Sequence, residues 1–410
     1  MVSDRPRSDA PPAEAPGPPS VDPFSPYRLG PIELRNRFVK AATFEGMSDH
    51  DGPTDQLVEF HRAIAAGGVA LSTVAFCAVS EEGRATPLEM VLQAKAVPGL
   101  TRIAEAVHGE GAAVSAQIGH AGAVAAATGS RGRSPSPMFS PMAMRRTKAV
   151  DDDDIARITA DFAAGATMLA DCGFDAVEVH MGHGYLLSGF LSPRLNRRND
   201  RWGGSLEHRM RFPRQAVEAV RRAVDGRLAV IVKLNMTDGI RGGLGPEESR
   251  LVARRLQADG TVDAIELTGG SSLQNPMFLF KGDAPVQELA AGFKQPIRLG
   301  MQLFGDRFLH SYPFEEGYFR PLAQPFREAL DLPLVYVGGV DHLATVRDVL
   351  DDGFELVAMG RALLREPDLI ERYRSGAATE GECIHCNRCM AMIHHGTHCP
   401  LLDPAERPGW

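Results

Sequence analysis

Eight times between residues 37 and 360 the chain enters a short apolar run and then a longer stretch of helical character. The runs are RFVKAA (37–42), VALSTVAF (69–76), AAVSAQIG (112–119), DAVEVH (175–180), LAVIVKLN (228–235), VDAIELT (262–268), LPLVYVGG (332–339) and FELVAMG (354–360). Most are apolar at nearly every position rather than at every second one. A strand of that kind is covered on both faces, the condition of a parallel sheet. Parallel neighbours need crossover connections. Helical stretches are expected at about 54–66, 99–110, 151–172, 205–223, 246–258, 322–330, 341–352 and after 360, with an irregular segment over 270–320. Eight such units predict an α/β fold, a closed (β/α)8 TIM barrel, over residues 24–376. The competing architecture is a doubly wound open sheet. It commonly carries G-x-G-x-x-G after its first strand, and VKAATFEG (39–46) has no such spacing.

The flanks differ from the barrel. Residues 1–23 hold seven prolines and no apolar run, so they predict a disordered tail rather than a secretory signal. Residues 377–410 form a Cys-rich C-terminal extension. With no export signal the expected location is cytoplasmic. Thiols stay reduced there, so a cysteine cluster points to metal rather than to disulfides. The net charge of −8 offers no basic excess to neutralise phosphates, which argues against nucleic acid as a partner. No apolar run approaches the roughly 18 residues that span a bilayer, which argues against a membrane partner. A homo-oligomer is compatible with the sequence.

Active sites of such barrels lie at the C-terminal ends of the strands. Those ends carry Thr43, Gln117, the group His180, His183 and Tyr185, then Lys233, Gly338, Gly339, Gly360 and Arg361. Glycines after strands seven and eight let backbone approach a ligand closely, and barrels often bind a phosphate there. Arg361 would add a charged, forked contact. Gln117 offers a donor and an acceptor to the edge of a heterocycle. Lys233 interrupts an apolar strand and should face something negative, because a buried unpaired charge is costly. A reduced flavin is such a partner, so these positions together fit FMN across the barrel mouth. His180 and His183 read as donors to an oxygen that gains negative charge, with Tyr185 as a proton source. Metal ligation by the two histidines, or a purely structural role, are the alternatives. Cys77 and Cys172 fall in apolar stretches and read as core.

The stretch FDAVEVHMGHGYLLSGFLSPRLNRRNDRWGGSLEHRMRF (174–212) contains H-x-x-H-x-Y followed by FLSP-x-x-N-x-R-x-D-x-W-G-G-S. With NRFVKAA, AQIGHAG and MGRALLREPDL, it resembles the Old Yellow Enzyme family of flavin oxidoreductases over residues 24–374. The resemblance implies FMN, reduction by NADH or NADPH, and transfer to the activated C=C bond of an enone-type small molecule. It implies that Gln117 and Lys233 meet the flavin ring system and that Gly339, Gly360 and Arg361 hold the phosphate. His180 and His183 would bind the substrate carbonyl and Tyr185 would donate the proton. Two positions depart from the family. Its usual Thr or Cys beside the flavin falls here on Phe44, with Thr43 one residue early, and Lys233 stands where arginine is more frequent.

The extension CIHCNRCMAMIHHGTHC places Cys383, Cys386, Cys389 and Cys399 within 17 residues. Relatives such as 2,4-dienoyl-CoA reductase and trimethylamine dehydrogenase carry four cysteines there as iron–sulfur ligands, with a different spacing. A [4Fe–4S] cluster, a zinc ion or no metal are the readings. They leave open an amine dehydrogenase or demethylase that passes electrons through a cluster, or a non-catalytic flavin- or metal-binding protein. The extension is expected to be dispensable for the barrel's chemistry.

Overall fold

The computed structural model describes residues 20–49, 51–126, 131–140, 143–292, 295 and 297–407. Most of the Pro-rich tail expected over 1–23 lies outside the described residues; Val21 already packs against the main core.

Eight parallel strands form the barrel: β1 (Phe38–Lys40), β2 (Leu71–Ala78), β3 (Ala113–Gly119), β4 (Ala176–Met181), β5 (Ala229–Asn235), β6 (Ala264–Thr268), β7 (Leu334–Val337) and β8 (Leu356–Met359). Each pairs with the next in chain order. The ring closes where Val357 and Met359 of β8 face Phe38 and Lys40 of β1. A two-residue strand, Met90–Val91, pairs with the far end of β2. The principal helices are α1 (Asp55–Ala66), α2 (Val97–Gly109), α3 (Asp152–Asp171), α4 (Leu206–Val224), α5 (Pro246–Asp259), α6 (Arg320–Arg327), α7 (Leu343–Asp351) and α8 (Leu369–Ser375). The acidic run before α3 is a capping box. Asp151 accepts from the Asp154 N–H at 2.9 Å, and Asp154 accepts from the Asp151 N–H at 3.3 Å. The segment 270–320 is less irregular than expected: it holds three helices, Pro276–Phe280, Val286–Ala291 and Ile297–Phe308.

Side chains alternate across each strand, and this divides the core in two. Outward residues such as Val177, Val179, Val230 and Val232 meet Phe162, Leu169, Phe212 and Val217 of the helices. Each such burial is worth about 1.5–3 kcal/mol. Inward residues of the lower layer are small or aliphatic: Val39, Leu71, Ala176, Ala229, Ile231, Ala264, Val335 and Leu356. An antiparallel hairpin, Tyr27–Leu29 with Ile32–Leu34, plugs this end with Leu29 and Leu34. Two residues further along the strands, the inward positions turn polar as Gln117, Glu178, Lys233 and Glu266. The barrel is therefore sealed by apolar side chains at one end and lined by polar ones toward the other.

After α8 the chain returns over the open end. Gly381 N–H donates to Asp341 O at 2.7 Å and Thr397 N–H to Glu45 O at 2.6 Å. The Asn387 amide donates to the carbonyls of Lys281 and Asp283 at 2.8 and 2.9 Å.

Candidate active site

A cavity of about 390 Å³ opens at the C-terminal ends of the strands. It is lined by Thr43, Gln117, His180, His183, Tyr185, Lys233, Gly338, Gly339, Gly360 and Arg361, so every barrel residue singled out from the sequence reaches it. Phe44 also lines it, beside Thr43.

β4 delivers His180, and the turn through Gly182 and Gly184 brings His183 and Tyr185 alongside. His183 adopts a left-handed backbone, φ 59°, uncommon for a non-glycine residue. Its N–H is fixed by Asn235 Oδ1 at 3.0 Å, and its ring Nε2 lies 3.0 Å from Thr268 Oγ1. His180 Nδ1 accepts from the Gly182 N–H at 3.3 Å, which places the ring proton on Nε2. The two imidazole centroids are 5.0 Å apart, and the Tyr185 ring is 4.6 Å from His180. Phe76 packs against both Tyr185 and His180, at 5.2 and 6.0 Å. Burial, then Lys233, lowers the His183 pKa to about 3. Burial, then the neighbouring His183 and Lys233, holds His180 well below the usual imidazole range. Burial, then Glu89, raises the Tyr185 phenol above its ordinary value. At neutral pH the site thus presents two uncharged imidazoles and one protonated phenol.

The cavity floor is an ionic layer. Gln117 Nε2 donates to Glu178 Oε1 at 2.5 Å, Lys233 Nζ lies 3.3 Å from that same oxygen, and Lys233 also bonds Glu266. Burial opposes the charge of Lys233, yet Glu178 and Glu266 outweigh it and raise its pKa. Burial, then Glu178, pushes the Glu266 carboxyl up. The lysine does face negative groups, but they belong to the protein. Glu178 and Glu266 stand at inward positions of apolar strands, the same signal that marked Lys233, and were missed. Thr268 and Glu89 were missed as well. Glu89 lines the cavity, accepts from the Ala85 N–H and is pushed up to about 8 by burial.

The opposite end is built for close approach. Gly339 has φ 68°, and a Cβ there would lie 2.5 Å from the Tyr318 ring. Gly338 has φ 147°, and a Cβ there would lie 2.7 Å from the Phe319 ring. Only glycine meets both demands. Thr43 Oγ1 is buried with no partner among the described residues. Arg361 donates to Lys281 O at 3.0 Å and to Asn387 Oδ1. An orphaned hydroxyl, a glycine cradle, an amide and two cations fit a phosphorylated planar heterocycle.

The Cys-rich extension is not apart from this site. His385, Cys389, Met390, Ile393 and Thr397 form part of the cavity wall. Burial pushes the Cys383 thiol up to about 11 and the Cys389 thiol to about 12, and Cys389 also feels Cys383, Cys399 and Cys386. Among the described residues, three ligand atoms come within 4.8 Å of one another at two places, Asp341–Cys383–His385 and Glu316–Asp341–His342. Neither holds more than one cysteine.

A parallel (β/α)8 barrel with a glycine cradle, an orphaned hydroxyl and an arginine at its mouth fits a flavin-binding oxidoreductase. The chain belongs to the NADH:flavin oxidoreductase / NADH oxidase family, which it matches over residues 22–267. It groups with the Old Yellow Enzymes, with FMN as cofactor and NAD(P)H as reductant. It is 47% identical over 382 residues to the 4,4'-dithiodibutanoate disulfide reductase of Rhodococcus erythropolis, covering 93% of this chain and 95% of that one. It is 30% identical to the multifunctional alkene reductase/demethylase of Caballeronia cordobensis, over 90% of this chain but only 52% of the relative. The fold superposes on the old yellow enzyme homologue from Zymomonas mobilis with a TM-score of 0.70 at 22% identity, covering 89% and 96% of the two chains. No described helix is long and apolar enough to cross a membrane.

Proposed function

We propose that the protein reduces the activated C=C bond of α,β-unsaturated carbonyl compounds. The observation that supports this is the convergence of two neutral imidazoles and a protonated phenol on one cavity. Thr43, Gln117, Lys233, Gly338, Gly339, Gly360 and Arg361 would hold FMN, which when bound takes a hydride from NAD(P)H and passes one to the alkene. His180 Nε2–H donates to the substrate carbonyl. The Thr268 hydroxyl can give its proton to His183 Nε2, which leaves His183 Nδ1–H as the second donor. Both bonds strengthen as charge builds on that oxygen. Tyr185 Oη then protonates the carbon next to the carbonyl. Both substrates use one cavity, so turnover is ping-pong. Changing His180 and His183 to Ala should cost on the order of 2.7–4 kcal/mol of transition-state stabilisation per lost donor. Stopped-flow reoxidation of the pre-reduced enzyme by an enone measures this, with flavin content as the control. Unchanged reoxidation in the double variant overturns the assignment.

A second reading is disulfide reduction, in which two electrons and two protons convert one S–S bond into two thiols. It is favoured by the 47% identity to a disulfide reductase and by Cys389 in the cavity wall. Anaerobic reoxidation by a disulfide but not by an enone would select it. Cys383, Cys386, Cys389 and Cys399 would hold a [4Fe–4S] cluster. Protein purified without oxygen should then contain about four irons per chain, whereas one zinc or no metal refutes this assignment.

A further inference from the structure

Two residues past the glycine cradle, three polar atoms without hydrogen-bond partners converge. Glu316 Oε2, Asp341 Oδ1 and His342 Nδ1 are buried, and each lacks a hydrogen-bond partner among the described residues. His342 Nδ1 lies 3.3 Å from Glu316 Oε2 and 3.4 Å from Asp341 Oδ1. All three atoms come within 4.8 Å of one another. Asp341 is only 2% exposed. A buried carboxylate oxygen left without a partner is costly. One imidazole nitrogen carries at most one proton, so it cannot satisfy both oxygens.

The neighbouring groups orient these atoms. Glu316 Oε1 accepts from the N–H groups of Asp341 and His342 at 2.7 and 2.9 Å, which leaves Oε2 for the imidazole. Asp341 Oδ2 lies 3.2 Å from His385 Nε2, which leaves Oδ1 for the cluster. His342 Nε2 lies 3.3 Å from Glu380 Oε2. A proton held there, between Nε2 and a carboxylate, leaves the lone pair on Nδ1, the usual arrangement of a metal-binding histidine. Three carboxylates thus surround one imidazole, and among the described residues no lysine or arginine pairs with any of them. The distances also fit an ion. Ligand atoms at about 2.0–2.2 Å from a tetrahedral zinc are about 3.3–3.6 Å apart.

We propose that Glu316, Asp341 and His342 bind one divalent transition-metal ion of the zinc type. The His342 side chain is 44% exposed, so water can reach the ion as a fourth ligand. The site uses no sulfur and is separate from the four cysteines. The ion clamps the loop before α6, through Glu316, to the end of β7, through Asp341 and His342. Glu380 extends the clamp to the first residues of the Cys-rich extension. The backbone already joins the last two stretches: Leu343 N–H donates to Thr379 O at 2.9 Å and Gly381 N–H to Asp341 O at 2.7 Å. Gly317 N–H donates to Gly339 O at 2.6 Å, so the same ion steadies the glycine cradle.

The test uses the FMN-loaded full chain, purified without oxygen and freed of loosely bound metal, with its E316Q, H342Q and E380Q variants. Calorimetric titration with Zn2+ should show a site that E380Q weakens about tenfold, as loss of the carboxylate behind a metal-bound histidine does. E316Q and H342Q remove ligands and should weaken it further. Mn2+ favours oxygen over thiolate ligands. Its binding, read as loss of the free-ion EPR signal, should show the same ranking. Trypsin should cut after the half-exposed Arg388 more slowly when Zn2+ saturates the wild type, and H342Q should lose that protection. If neither ion binds, the proposal is overturned and His342 is an imidazolium paired with carboxylates. If both bind equally well to E316Q and H342Q, the ions sit elsewhere, and the proposal is overturned again. Should E316Q or H342Q fail to load flavin, E380Q decides, because its side chain is 70% exposed: unchanged affinity there also overturns the proposal.

Discussion

Exchanging Tyr185 for phenylalanine should slow enone reduction by roughly 10²–10⁴-fold, the usual contribution of a positioned general acid. Bleaching of the flavin by NAD(P)H needs no proton from this residue and should be nearly unaffected. The ring keeps its packing against Phe76 and His180, so the loss belongs to the hydroxyl alone. Equal slowing of both half-reactions would make Tyr185 structural. The pH profile supplies a second check. The phenol is raised by burial and the two imidazoles are lowered, so neither limb should show an ordinary histidine ionisation near 6.5. Stability has a definite sign. Below 6.5 the unfolded chain takes up protons that His183 in the folded chain refuses until about 3. Acid should therefore destabilise the protein progressively through that window.

Lys233→Met should have the second large effect, and it should fall first on stability. The variant leaves Glu178 and Glu266 buried without their cation. Breaking a buried pair by removing one partner costs about 3–5 kcal/mol. Urea unfolding of the apoprotein measures this directly, and wild-type stability in Lys233→Met would mean that the ionic layer is not formed. Adding Glu266→Gln should recover part of the loss by removing one uncompensated carboxylate. That double variant is also the better host for a redox titration. Its midpoint potential should lie below that of wild type if Lys233 stabilises the reduced cofactor.

Much of the barrel was legible because both of its periods are local. Eight apolar runs and intervening helices register within windows of about 5–20 residues. Strand ends then indicate the mouth, and Thr43, Gln117, His180, His183, Tyr185, Lys233 and the glycines all reach one cavity. The partners of Lys233 were missed for a different reason. Glu178 and Glu266 meet Lys233 through the parallel register β4–β5–β6, where His180 faces Lys233 and Lys233 faces Glu266. Nothing local announces that pairing, although a carboxylate amid valines and leucines was a visible warning. The docking of residues 385–397 was harder still. No periodicity fixes where an irregular segment lands, and its contacts to Glu45, Lys281 and Asp341 span most of the chain. For that reason sequence alone did not place part of this extension in the cavity wall.

The same wall sets an order of events during synthesis. The barrel ring cannot close until β8, residues 356–359, has left the ribosome to pair with β1 at 38–40. Such distant pairing makes closure a late step. Even then the mouth lacks His385, Met390 and Ile393, which follow about 25–40 residues after the last strand. A nascent chain therefore has a completed barrel before it has a completed catalytic chamber. Flavin that arrived in that interval would meet a site whose wall still lacks residues 385–397.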